Sequence, residues 1–538
     1  MSAVDYGYLD NRDLVASITC GNGTMNTYDY DDADRVKLIE HSIVGQSPFL
    51  SLVYWYDGRD LIIQIDETDE NGFVTTVTFD YDARRRLTRE TRISGGPSPE
   101  YDLEYTYDAG GNRELKIDHY NGTTTTYTYD VDDPAAYNHK ANRLMSYETR
   151  QDSNNYVLER VVYEYALEGD AAGNITQVIR ETPTFEAEQP SMFDVFGTHF
   201  TYNKKGAVRI IVQRHWRMII GDTESHFGES VLKIREFRGD GRTRHMMRER
   251  DTAFPHGPLF DTAVWTDYND DLPTGDYTVN GCVNQPGTPC DSIQPIVTEE
   301  THYDLGLAEM EYGPDPFSTT DDTVTYTHTN HLGTTRARTD DNDPVDFVAR
   351  PVYTALGERV DVDGSIGTRY GYVGKEGYET FDNGDASPYF WGEWDTDGPG
   401  GDPPIPAPFG FIHTGARWYD PASGRFLQRD VLGVQGGLHT YLYGEANPTA
   451  LVDPEGTFVV AAARAAGRAA WPYLLRGGEI VLAKGKSAFA TIKRVRVKVQ
   501  YHRKPHPFRW VGRRHHLQCT MWLKGRKGSD VNVRLPLP

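Results

Sequence analysis

The chain has no run of 18 apolar residues anywhere in its 538 positions, so no membrane-spanning helix is expected. Its opening residues, MSAVDYGYLDNRD, have neither the basic stretch nor the apolar core of a secretory signal. Cysteine is scarce. Of the four, Cys282 and Cys290 bracket a Val-Asn-Gln-Pro-Gly-Thr-Pro loop that a disulfide would close in an oxidising compartment, and two free thiols fit equally well. Cys20 and Cys519 have no evident partner, and the compartment stays open. Only 38% of residues are hydrophobic, too few in too scattered a pattern for a Leu/Ala-rich helical core. Tyrosine and glycine are abundant instead, 34 and 52 residues respectively. That composition suits many short strands joined by turns, and the length accommodates one large repetitive domain.

Charge is divided along the chain. The net charge of −24 combines a segment from Thr457 to Pro538 carrying 18 Lys+Arg and 2 Asp+Glu with a remainder that stands at −40. A basic tail on an acidic body implies either mutual attraction or affinity of the tail for nucleic acid or an anionic surface.

Tyr30, Tyr56, Tyr81, Tyr107 and Tyr129 each precede an aspartate, at spacings of 26, 25, 26 and 22 residues. A fixed period of this size marks a repeated hairpin that buries its apolar face by stacking on its neighbours. In Thr126-Tyr127-Thr128-Tyr129-Asp130 the tyrosines share one strand face and the threonines the other. The aspartate then starts a turn, and an apolar-alternating strand such as Leu61-Ile62-Ile63-Gln64-Ile65 returns. Tyr163-Glu164-Tyr165 and Phe200-Thr201-Tyr202 read as weaker copies at wider spacing. Arg235 to Arg250, broken by Gly239-Asp240-Gly241, reads as another hairpin, and the Pro/Gly/Asp-rich stretch from Asp251 to Gln294 as a long loop.

The most informative stretch runs from Thr414 to Gly456. Asp420-Pro421 followed by Ser423-Gly424 is a tight-turn signature that folds the flanking aromatic residues into a hairpin. Tyr441-Leu442-Tyr443 reads as a short strand before the Asn447-Pro448 turn. Over about 40 residues this stretch closely resembles the RHS-repeat-associated core shared by RHS/YD-repeat proteins, insecticidal-toxin C components and, more distantly, teneurins. The tyrosine–aspartate units resemble the YD repeat of the same family, and Thr327-His328-Thr329-Asn330-His331-Leu332-Gly333 resembles the element that opens the core. His328 and His331 lack companions at ligand spacing and read as structural turn residues. The resemblance implies an all-β fold, a repetitive β-hairpin YD shell or partial cocoon, followed by a variable segment beginning after Asp453-Pro454-Glu455-Gly456. It also implies a secreted or cell-surface setting in a polymorphic-toxin or adhesion system.

In several members of that family, aspartates of the core cut the chain at this boundary. By motif position they are Asp430 and Asp453 here. Two neighbouring carboxylates do not both ionise easily, so one keeps a proton and acts as acid while the other activates water. Arg429 would pair with either and lower its pKa. Val431 stands where the family has Pro, and Thr457 where cleaving members have Leu. The competing reading is that both aspartates cap turns.

The expected organisation is therefore a repeat region over 1–320, the core over 321–456 and a small α+β basic tail over 457–538. Within the tail, Phe458 to Leu475, with Arg464 and Arg468 on one face, predicts a short amphipathic helix, and Lys493 to Val499 alternates as a strand. His502, His506, His515 and His516 among Arg and Lys residues are candidate nucleic-acid contacts, but no nuclease pattern is present, and His515-His516-x-x-Cys519 is too short for zinc. The clustered Asp385, Asp395, Asp397 and Asp402 in Asp382 to Pro408 lack a calcium-loop arrangement and read as a solvated acidic loop. No cofactor or metal is expected. The partners implied are the chain's own tail held by the shell, an immunity protein, a cell-surface protein or carbohydrate, and nucleic acid for the tail alone.

Overall fold

A computed structural model describes residues 5–9, 14–96, 100–130, 142–166, 173–186, 189–203, 207–219, 226–239, 245–251, 261–269, 272–280, 296–312, 322–341, 347–364, 368–380, 389–390, 405–406, 410–433, 439–457, 460–461, 478–481, 487–492, 495–502, 516–523 and 531–536. The chain divides into two compact units, Met1–Gly467 and Arg468–Pro538.

The first unit is built on a 26-stranded sheet from Asp5–Tyr8 to Arg359–Gly364. Every strand pairs antiparallel with its neighbours in sequence. The pairing continues from Ala308–Tyr312 into Thr323–Thr329 without a break. The expected all-β fold is thus present, as a meander of hairpins.

The tyrosines explain how successive hairpins register. Tyr30, Tyr56, Tyr81, Tyr107, Tyr129, Tyr165 and Tyr202 are each the last residue of a strand. Their hydroxyls donate to the carbonyl oxygens of Val15, Val36, Ile62, Leu87, Arg113, Leu144 and Ile175, each the first residue of the strand before. A buried or half-buried phenol thus finds a backbone acceptor at each of these rungs. At each of these tyrosines the pairing to the next strand also slips by a bulge, which bends and twists the strand locally.

The aspartate that follows organises the turn. Asp31 Oδ1 accepts the N–H groups of Ala33 and Arg35, Asp57 Oδ1 those of Arg59 and Leu61, and Asp82 Oδ1 those of Arg84 and Arg86. Arginines then tie one turn to the next hairpin. Arg35 stacks over the Tyr56 ring at 4.4 Å and Arg86 over Tyr107 at 4.7 Å.

The sheet's buried face is lined by Val36, Ile39, Leu52, Tyr54 and Leu87 in its early strands, and by Tyr127, Tyr147, Tyr163 and Phe200 farther on. The first hairpins also meet the late strands. Asn26 Oδ1 accepts from both His41 and His328, and the Tyr54 and His331 rings stack edge-on. Burial holds His328 down to about 3 and His331 to about 4. His331 lies in a turn, whereas His328, expected in a turn as well, sits within the strand Thr323–Thr329.

Several local expectations are corrected. The stretch Asp251 to Gln294 is not one long loop, because Asp261–Asn269 and Leu272–Asn280 are paired strands within it. One of its aspartates, Asp276, is buried with hydrogen bonds from Thr266, Tyr303 and Arg369. Tyr441 to Tyr443 makes one bridge, Leu442 to Arg425, rather than a strand. Gly444, Glu445 and Ala446, all at positive φ, turn the chain away at once. Val460–Ala461 pairs with Leu451–Val452 as a strand where the helix is expected, and the rest of that helix lies outside the described residues. So do Cys282, Cys290 and the aspartates of Asp382 to Pro408, where Tyr389–Phe390 pairs with Ile405–Pro406. The hairpin around Gly239 is present, His226–Gly239 pairing with His245–Asp251.

The second unit is a five-stranded antiparallel meander of Gly478–Val481, Ser487–Ile492, Val495–His502, His516–Leu523 and Val531–Pro536. The alternating stretch near Val495 is one of its strands. No helix among the described residues is long and apolar enough to cross a membrane.

Candidate functional site

Ile412–Thr414, Arg417–Asp420 and Arg425–Phe426 form a small antiparallel sheet with Glu379–Thr380. The Asp420-Pro421-Ala422-Ser423-Gly424 turn closes as its sequence predicts, the Gly424 N–H donating to Asp420 O at 2.8 Å. Tyr372, Tyr378, Tyr419, Phe426 and Tyr443 pack into one buried aromatic cluster beside it. This cluster excludes water from the polar groups set along its edge.

Those groups centre on Arg417. Its Nη2 contacts Asp453 Oδ2 at 2.9 Å and Asp430 Oδ2 at 3.4 Å, and all three side chains are buried. Its Nε donates to Gly456 O at 2.5 Å and its Nη1 to Thr440 O at 3.1 Å. The guanidinium also lies over the Phe426 ring at 3.5 Å. Burial pulls the Arg417 pKa below its ordinary value, and the charges of Asp453 and Asp430 oppose that loss. A buried cation paired with two carboxylates is the arrangement that limits the desolvation penalty.

Each carboxylate also closes a turn. Asp430 Oδ1 accepts from Leu432 N–H at 2.7 Å. Asp453 Oδ1 accepts from Thr457 N–H at 2.8 Å, and the Gly456 N–H reaches Asp453 O at 3.1 Å. Asp453 is further fixed by its own N–H, which donates to the Tyr378 hydroxyl at 2.7 Å. The Tyr378 phenol is driven well above its ordinary pKa, first by burial and then by the Asp453 charge.

The peptide bond between Gly456 and Thr457 is therefore held at both ends, its carbonyl oxygen by Arg417 and its N–H by Asp453. Gly456 sits at φ +62°, and a Cβ there would collide with Thr414 O. Only glycine allows the segment to lie this close to the Arg417 strand. Thr457 Oγ1 points to Glu455 Oε2 at 3.4 Å.

The structure thus brings Asp430 and Asp453 to one guanidinium beside the boundary that the sequence points to. Arg429, expected to pair with them, has its backbone N–H on Asn174 Oδ1 at 3.2 Å and its side chain against Gly173. Arg417 is the residue that sequence reasoning misses. Alternation places it on the same strand face as Tyr419, and a cation amid buried aromatics requires a carboxylate partner, which is the signal that could have found it. Among the described residues, no cluster of His, Cys, Asp and Glu is arranged to hold a metal.

No family model matches the chain and no curated protein matches it. Solved structures with similarity include TcdB2-TccC3 without its hypervariable C-terminal region, 15% identical with a TM-score of 0.35 over 82% of this chain and 21% of that one. TcdB2-TccC3 itself is also 15% identical, with a TM-score of 0.34 and the same coverage. The Photorhabdus luminescens Tc holotoxin pore is 15% identical, with a TM-score of 0.28 over 83% of this chain and 23% of that one. The chain spans about a fifth of the length of these three structures.

Proposed function

We propose that this chain is a hairpin-repeat β-scaffold that encloses or displays its variable basic carboxyl-terminal segment, residues 457–538. The observation that carries this reading is the change of character at Gly456. Before it lies an acidic meander whose hairpins are locked to one another by tyrosine hydroxyls, and after it a strongly basic segment whose described strands beyond Arg468 form a five-stranded sheet. A rigid framework followed by a chemically different appendage fits a carrier and its cargo. Expression of residues 457–538 alone and of the full chain in the same host tests this. Growth inhibition by the tail that the full chain suppresses supports a carrier holding a toxic cargo, and equal effects of the two count against it.

A second reading is favoured by the clamp on one peptide bond. Asp430, Asp453 and Arg417 converge beside Gly456 and Thr457, and self-cleavage there would release the tail. Intact mass of the purified chain beside Asp453→Asn decides it. Wild-type fragments meeting at Gly456 that are absent from the variant support self-cleavage, and a single uncut 60.7 kDa species in both leaves a permanent scaffold.

A further inference from the structure

Thr457 sets this boundary apart, because a hydroxyl stands immediately after a peptide bond whose carbonyl is already polarised. Resting on the self-cleavage reading, we propose that the nucleophile is the Thr457 hydroxyl and that the Gly456–Thr457 bond breaks through an N-to-O acyl shift. A threonine hydroxyl and the carbonyl carbon before it close a five-membered ring, so the attacking and reacting atoms are neighbours by covalent geometry.

The surrounding groups supply what such a step requires. Arg417 Nε, at 2.5 Å from Gly456 O, donates to the oxygen on which charge develops, the guanidinium itself being buried against Phe426. Glu455 Oε2 accepts from Thr457 Oγ1 at 3.4 Å and is placed to act as the base. Asp453 Oδ1 fixes the Thr457 N–H, and so the orientation of the peptide plane, at 2.8 Å. Gly456 at φ +62° keeps its carbonyl turned toward Arg417.

In the first step Thr457 Oγ1 bonds to the Gly456 carbonyl carbon while its proton passes to Glu455. The tetrahedral oxyanion, held by Arg417, collapses with cleavage of the bond to the Thr457 nitrogen, and Glu455 returns the proton to that nitrogen. An ester now links Gly456 to the Thr457 side chain. Water adds to the ester carbonyl, leaving a carboxylate on Gly456 and a free amino group and free hydroxyl on Thr457.

Asp430 and Asp453 act in this scheme as positioning residues through Arg417 and the peptide N–H. Direct hydrolysis by the aspartate pair would proceed without any hydroxyl at position 457, which makes the two routes separable.

The test uses the full chain, incubated after purification and read by intact mass and by the amino-terminal residue of the smaller fragment. Wild type and Thr457→Ser are expected to give fragments that meet between residues 456 and 457 and together gain one water. Thr457→Ala is expected to stay whole. Thr457→Cys is expected to break faster when dithiothreitol is added, because the thioester is intercepted by thiol, and hydroxylamine added to wild type is expected to leave a hydroxamate on Gly456. Thr457 is partly exposed and, among the described residues, its hydroxyl makes the one 3.4 Å hydrogen bond named above, so matched urea unfolding of Thr457→Ala and wild type excludes misfolding. If Thr457→Ala breaks at the wild-type rate at the same bond, the acyl shift is wrong and self-cleavage stands. If wild type remains whole with and without hydroxylamine, both readings fall.

Discussion

Glu67 and Arg336, 269 residues apart in sequence, are joined by hydrogen bonds of 2.6 and 3.0 Å. Arg92 approaches the same carboxylate at 2.5 Å from the neighbouring hairpin; Glu67 and Arg92 are buried and Arg336 is largely so. The strand Ile62–Asp69 is thereby fastened to Thr335–Asp340, which belongs to the far end of the meander. Hydrophobic packing has no preferred register at such a junction, whereas a carboxylate between two guanidiniums has one.

Glu67→Gln leaves the buried Arg92 and the largely buried Arg336 without their counter-charge and is expected to cost about 3–5 kcal/mol. Burial alone would raise the Glu67 pKa, but the two arginines prevail and hold it at about 2, below its ordinary 4.5. Because the folded-state value is depressed, the stabilisation is complete above pH 4.5 and is lost as pH falls through 2. Urea midpoints of wild type and Glu67→Gln should therefore converge on acidification, and a constant gap from pH 7 down to pH 2 would contradict the pairing.

Glu90 behaves in the opposite sense. Its carboxyl is buried and accepts from the Ala355 N–H at 2.8 Å and the Tyr105 hydroxyl at 3.0 Å. Burial pushes it up to about 7 from 4.5. A raised folded-state value means that stability is full below pH 4.5 and declines as pH rises through 7, by about 3 kcal/mol for a shift of this size. Glu90→Gln should abolish that decline, so the variant gains on wild type between pH 5 and pH 8. Parallel urea stability profiles of the two proteins over that range would refute the assignment.

The tyrosine ladder predicts a contrast between two conservative changes. Tyr107→Phe removes the hydroxyl that donates to Leu87 O at 2.7 Å and should cost about 1–2 kcal/mol. Tyr120, 60% exposed in a turn, has no such role, and Tyr120→Phe should change stability by less than about 0.5 kcal/mol. Equal urea midpoints for the two variants would mean that the ladder is packing without hydrogen-bond content.

Much of this design is written in local sequence. Tyrosine before aspartate recurs at hairpin spacing because one residue ends a strand and the next folds the turn, so spacing alone locates both. Tyr165 and Tyr202 are legible as weaker copies, and their hydroxyls make the same bond as the regular ones. What is illegible depends on partners far away in sequence. Arg417 escapes a local reading because its carboxylates lie in later turns and its carbonyl acceptor at residue 456. Leu272–Asn280 looks like a loop because it carries Pro273, Gly275 and Asp276, and Arg369, the counter-charge of Asp276, lies beyond any local window. Tyr441 to Tyr443 fails as a strand for a nearer reason, the run of positive φ that follows it, which only Gly444 announces.

Gly456 offers a test of how tightly the clamp is built, because two costs of replacing a glycine can be measured apart. Gly45 has φ +81° with nothing within 4 Å of where a Cβ would lie, so Gly45→Ala meets only the backbone penalty of about 1–2 kcal/mol. At Gly456, with φ +62°, the same methyl collides with Thr414 O and meets Arg417 N at 3.0 Å. One strand must move, adding about 1–3 kcal/mol for overpacking. Moving it also draws Gly456 O away from the Arg417 guanidinium. Gly456→Ala should therefore lose more stability than Gly45→Ala in urea unfolding, and amide exchange at Thr457 should accelerate in the first variant and not in the second. Equal losses, with Thr457 exchange unchanged, would mean that the Arg417 strand yields without cost and that the carbonyl is not held in place by close packing.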